Sequence, residues 1–215
     1  MTSSIDPTQF TSEKSLWDVY SLCKRIRPSR TQSSIVYFCC FLLGINAFIF
    51  HPESKILLID LRSWATLGFN FTITTLGFLI AGFTIFTTVA KPEMMLAMMA
   101  HQDKETNLPT LKRNMFAFLK VFIAYLSCSA LYLFVLLFAQ PNGVLAGLIP
   151  LIPKANCIKD IGIKVTYIVV GGSFVYLLFM LKIFVFNIYA IVMNNLRWAH
   201  FQQKNTPTET NSKTP

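Results

Sequence analysis

The chain has 215 residues, of which 53% are hydrophobic and 13% charged. Soluble domains carry about 25% charged residues, so this deficit excludes an ordinary water-facing surface and fits lipid as the solvent, on a chain long enough for one domain. The formal net charge of +9 is read as a topology signal, with basic residues meeting anionic lipid on the cytoplasmic side, and no direct nucleic-acid binding is expected.

Residues 1–33 read as a cytoplasmic N-terminal segment, polar over 1–11 and helical over 12–27. Ser15 and Asp18 stand at capping-box spacing. Leu16, Val19, Cys23 and Ile26 share one helical face, while Lys24, Arg25 and Arg27 gather at the far end, where they suit the dipole and anchor the helix at the membrane surface. The favoured placement is on the inner leaflet, with docking on a partner as the alternative. The first apolar run begins near Ile35, after Arg30, which predicts a retained signal anchor rather than a cleaved leader.

The membrane domain, 34–203, is predicted to be all-α: a four-helix transmembrane bundle with short amphipathic cytoplasmic helices and spans near 34–50, 64–90, 115–139 and 163–193. The first is close to the short limit for about 30 Å of hydrocarbon. Apolar residues 56–61 then suit a loop resting in the interface, with Trp64 as an interfacial anchor. Pro92 suits the first position of a new short helix. The third and fourth spans exceed what a bilayer needs, so Lys120 and Lys182 are expected to mark the surface by snorkelling. About 110–119 and 183–203 would then continue as cytoplasmic helix, and 204–215 is a disordered tail.

Orientation follows from the basic residues. Lys14, Lys24, Arg25, Arg27, Arg30, Lys91, Lys104, Lys112, Arg113, Arg197, Lys204 and Lys213 fall on one side, against Lys55, Arg62, Lys154, Lys159 and Lys164 on the other. Twelve against five places both termini in the cytoplasm, on the positive-inside rule.

Little in the sequence suggests chemistry. The five cysteines show neither metal-ligand spacing nor a disulfide framework. The acidic residues avoid the middle of the spans, where transporters place theirs. His51, His101 and His200 are far apart in sequence, and no nucleophile elbow, P-loop or dinucleotide fingerprint occurs. The expectation is no enzyme, no cofactor and no metal.

The second span is more informative. Asn70, Thr74, Gly77, Ala81, Thr84 and Thr88 fall on one face, all small or polar. Such a face packs against helices of the same subunit or against a second copy; a narrow pore lining is the third reading. Met94, Met95, Met98 and Met99 crowd the stretch after Pro92 and suit either an adaptable contact surface or gap filling. With Arg113, Phe184, Tyr189, Arg197 and Trp198 they are the candidate partner-binding residues. The connection 141–153 is apolar and rich in Gly and Pro, suited to folding over the bundle or dipping into the outer leaflet.

The stretch Gly68-Phe69-Asn70-Phe71-Thr72-Ile73-Thr74-Thr75-Leu76-Gly77-Phe78-Leu79-Ile80-Ala81-Gly82-Phe83-Thr84-Ile85-Phe86, followed by Lys91-Pro92-Glu93, resembles the membrane subunits of the Kiwa anti-phage defence system of bacteria. The resemblance covers that span and the four-helix plan. It implies a homo-oligomeric inner-membrane sensor, a tetramer, that holds a cytoplasmic DNA-binding partner and responds to phage at the envelope. The expected function is therefore a sensor and scaffold that recruits and controls a cytoplasmic effector. A pore-forming or depolarising effector is the alternative, and a transporter accessory subunit the second.

Overall fold

The computed structural model describes residues 15–23, 30–50, 53–103, 108–140 and 155–205. Among these, 93% are helical and none forms a strand. In chain order the helices are α1 (Leu16–Cys23), α2 (Arg30–Ile45) running into a π-helical turn (Asn46–Phe50), α3 (Ser54–Val89), α4 (Pro92–Ala100), α5 (Thr110–Phe138) and α6 (Ala155–Asn205). Four segments are long and apolar enough to cross a membrane: Arg30–Phe50, Ser54–Thr88, Thr110–Phe138 and Cys157–Phe201. The fold is an all-α bundle of the multi-pass membrane type.

The helices run further than the hydropathy of their sequence suggests. Residues 56–61 do not form an interfacial loop: α3 starts at Ser54, and Leu57, Leu61 and Ala65, at helical spacing, turn inward and are fully buried. α6 has 51 residues, about 77 Å at 1.5 Å per residue, and is longer than a hydrocarbon core of about 30 Å. Helix does continue through 110–119 and 183–203. Lys24, Arg25, Arg27, the connection 141–153 and residues 206–215 lie outside the described residues.

α3 packs on α5 and α6, α5 packs on α6, and α2 seats chiefly on α6. The core is aromatic. Phe118 stands between Phe86 and Phe184, at ring distances of 5.3 and 5.4 Å. Two buried tyrosines cross-link the helices, Tyr125 Oη donating to Leu177 O at 3.0 Å and Tyr132 Oη sharing a hydrogen bond with Ser173 Oγ at 2.6 Å. Helices in lipid meet where small residues let backbones approach, and here those are Gly68 and Gly82 on α3, and Gly171 and Gly172 on α6. A Cβ at Gly68 would lie 2.7–3.0 Å from the Tyr132 ring, and one at Gly82 2.9 Å from Phe184.

Gly68→Ala is therefore expected to cost about 1–3 kcal/mol, because the Tyr132 ring must leave its slot and release Ser173. Gly77→Ala, whose Cβ would meet nothing within 4 Å, should shift the protomer by about 0.5 kcal/mol or less. Unfolding of both variants in detergent checks the contrast.

Two placements go beyond the sequence expectation. Trp64 is half-buried, its ring stacked on Tyr167 at 4.6 Å and close to where a Cβ at Gly171 would sit. A large ring gains from stacking and burial. α1 carries the capping box, with Ser15 N donating to Asp18 Oδ2 at 3.1 Å and Asp18 N to Ser15 Oγ at 3.2 Å. It docks on α5, where Cys23 is buried beside Leu108 and Phe116, the Sγ donating to Phe116 O at 3.3 Å. Lys120 consequently sits half-buried beside Cys23 under α1, while Lys182 is exposed as a surface marker would be.

Candidate functional site: a groove between α4 and α6 and an open face on α3

α4 starts at Pro92, whose missing N–H costs nothing in a first turn, after Lys91 in extended conformation. Its far end is tied down by a short connection to α5. Thr110 N and Oγ1 both donate to His101 O, at 2.9 and 3.0 Å, Asp103 N donates to Leu108 O at 2.9 Å, and Arg113 pairs with Asp103 at 3.5 Å. This clamp holds α4 beside the last turns of α6.

Between them is a groove of about 530 Å³, within the usual range of about 300–1,000 Å³ for ligand pockets. One wall is Met94, Ala97, Met98, His101 and Thr110; the other is Asn194, Arg197, Trp198, His200 and Phe201. Arg197 and His200 are exposed and Trp198 is half-buried, its Nε1 lying out of water with no hydrogen-bond partner among the described residues. An indole N–H in that state awaits an acceptor.

Of the partner-binding candidates, Met94, Met98, Arg197 and Trp198 come together here. Phe184 does not: it is fully buried against Phe118 and Gly82 and belongs to the core. Met95 packs on the main core, and Met99 is buried away from the groove. Arg113 is engaged by Asp103, and Tyr189 is exposed but lines no part of the groove. Asn194, Phe201, His101 and His200 were missed by sequence reasoning. Asn194, Arg197, Trp198 and Phe201 recur at steps of three, one and three, a helical face that could have been read. Nothing in the sequence brings His101 to His200, and among the described residues no three His, Cys, Asp or Glu side chains form a metal-type group.

The face proposed on the second span is real but unpartnered. Asn70, Thr74, Gly77, Ala81, Thr84 and Thr88 are all exposed, so none of the described residues packs on this face. The intrasubunit contacts use another face of α3, through Gly68, Thr72, Thr75, Leu79, Gly82 and Phe86. Thr84 Oγ1 donates to Ile80 O at 3.0 Å and Thr88 Oγ1 to Ile85 O at 3.0 Å; hydroxyls satisfied by their own helix can face lipid. Asn70 makes no comparable side-chain hydrogen bond among the described residues.

No family model, curated protein or solved structure matches the chain.

Proposed function

We propose that the protein is an oligomeric inner-membrane sensor and scaffold whose groove between α4 and α6 recruits and controls a cytoplasmic effector. The observation that carries this reading is the groove itself: methionines, an aromatic ring with an unused donor, and an arginine at the rim are the ingredients of a protein-docking hot spot. The open face of α3 supports self-association, since Asn70 in hydrocarbon gains an amide partner from a second copy. The Kiwa-like stretch supports a tetramer acting in anti-phage defence with a DNA-binding effector. The test is co-expression with the products of adjacent genes: one should co-purify in detergent through the groove and be lost on Met98→Asp or Trp198→Asp.

Both termini are assigned to the cytoplasm on the lysine and arginine asymmetry. Two native cysteines check this directly. Cys157 is exposed at the start of α6, whereas Cys23 is buried, and burial pushes its thiol above the ordinary range despite the opposing influence of nearby Lys120. Thiolate is the reactive form, so an impermeant maleimide added to intact cells is expected to label Cys157 and leave Cys23 unlabelled. A Cys157 that reacts only after lysis reverses the topology.

A pore-forming effector is the second reading, favoured by the exposed hydroxyl-bearing face of α3. It predicts that the protein alone collapses a potassium gradient in liposomes; the scaffold reading predicts that the gradient holds.

A further inference from the structure

At the opposite end of the bundle a small polar cup adjoins a second, apolar groove. α3 begins there at Ser54, and the first turns of α6 lie alongside. The cup, about 210 Å³, is lined by Ser54, Lys55, Lys159 and Asp160 together with Leu58 and Ile163. Leu58, Lys159 and Ile163 also line the apolar groove, about 320 Å³, which continues between α3, α5 and α6 past Leu61, Phe134 and Phe138. The two spaces are neighbours that share these three residues as walls.

We propose that together they bind an anionic glycerophospholipid, its phosphate in the cup and one acyl chain in the groove. Charge selects the head. Lys55 and Lys159 bring two ammonium groups, and the only carboxylate lining the cup, Asp160, is held by Lys164 at 3.1 Å. Glu53, the exposed residue before α3, makes no side-chain cap, so the first turn of a 36-residue helix has no side-chain acceptor from that position. Independently, Ser54 Oγ is out of water and has no hydrogen-bond partner among the described residues; a buried unpaired hydroxyl is costly, and a phosphate oxygen satisfies it. Shape and position select the tail. The groove is walled by Leu, Ile and Phe on membrane-spanning helices, its one hydroxyl, Thr166, is already bonded to Gly162 O at 2.8 Å, and Gly162 leaves its own side open. A soluble anion would fill the cup and leave the groove empty. A neutral lipid would fill the groove and leave the lysines unused.

The experiment is native mass spectrometry of the full chain equilibrated with mixed phosphatidylglycerol and phosphatidylcholine micelles. Wild type is expected to retain phosphatidylglycerol over phosphatidylcholine by about tenfold, the worth of one charge-assisted hydrogen bond. Lys55→Ala with Lys159→Ala should abolish that preference with unchanged melting, since both side chains are exposed. Gly162→Leu, whose Cβ meets nothing within 4 Å, should block the groove and reduce retention of both lipids. Unchanged preference in the double lysine variant overturns the proposal. Loss in that variant alone, with Gly162→Leu behaving as wild type, also overturns it, because the head would then be attracted without a seated chain. A photo-crosslinker at Phe134 should capture lipid; capture of residues 144–152 of the same chain would make that segment the occupant and the proposal wrong.

Discussion

If the proposed oligomer forms through α3, Gly77→Leu is expected to convert it to protomers in mild detergent while the protomer's own unfolding stays the same. Gly77 stands in the middle of the exposed face, and a side chain added there meets nothing within 4 Å inside the protomer, so the fold has room for leucine. A second copy has none if the two α3 helices meet at small residues, because an isobutyl group holds the backbones apart and the dispersion contacts that drive association in lipid vanish. Ala81→Leu, one turn on, should do the same, whereas Asn70→Leu should weaken assembly by only about 0.6 kcal/mol, the average worth of such a polar contact in a bilayer. Leu126→Ala, on an exposed part of α5, is the comparison that should leave assembly intact. Mass photometry and crosslinking read the outcome. An unchanged oligomer in both leucine variants means that this face meets lipid alone.

The second large effect is at the groove. Met98→Asp and Trp198→Asp each place a carboxylate on an apolar wall, and Trp198→Asp also removes the largest ring. Loss of an aromatic anchor at a protein interface costs about 2–4 kcal/mol, so effector affinity should fall by about 30-fold to 1,000-fold. Both side chains are half-buried rather than enclosed, and membrane insertion and oligomer size should be unaffected. Met94→Asp is a poor probe, since Met94 is only 3% exposed and a charge there would disturb α4 itself. Retention of the effector by both Met98→Asp and Trp198→Asp removes the groove as its docking site.

How much of this could be read in advance depended on whether the signal was local. Four apolar runs, the stop at Lys91-Pro92 and the Ser15–Asp18 cap depend on residues close in sequence, and the structure reproduces them. Hydropathy does not say which side of an apolar helix faces protein, because lipid and core are equally apolar. That is why Phe184 looked available and is buried, and why the stacking of Trp64 on Tyr167 could not be foreseen. The small residues on α3 illustrate the same limit from both sides. The helix carries two such faces; one meets Tyr132 and Phe184, the other meets nothing among the described residues, and only coordinates distinguish them. The groove depends on α4 lying against a helix end almost a hundred residues later, a relation that no window along the sequence contains.

Helix α6 ties the two ends together mechanically. It runs as one piece from Ala155 to Asn205, and its first turns line the lysine cup while its last turns form a wall of the groove beside α4. Long helices bend gently unless a proline, a glycine–serine pair or an inserted group breaks them; α6 has no proline, and its Gly171-Gly172-Ser173 is braced by Leu43, Cys40 and Tyr132 from neighbouring helices. At 1.5 Å per residue it spans about 77 Å, with its middle packed inside the bundle. A tilt of about 5° around the midpoint would swing each end by roughly 3 Å, as wide as a hydrogen bond is long.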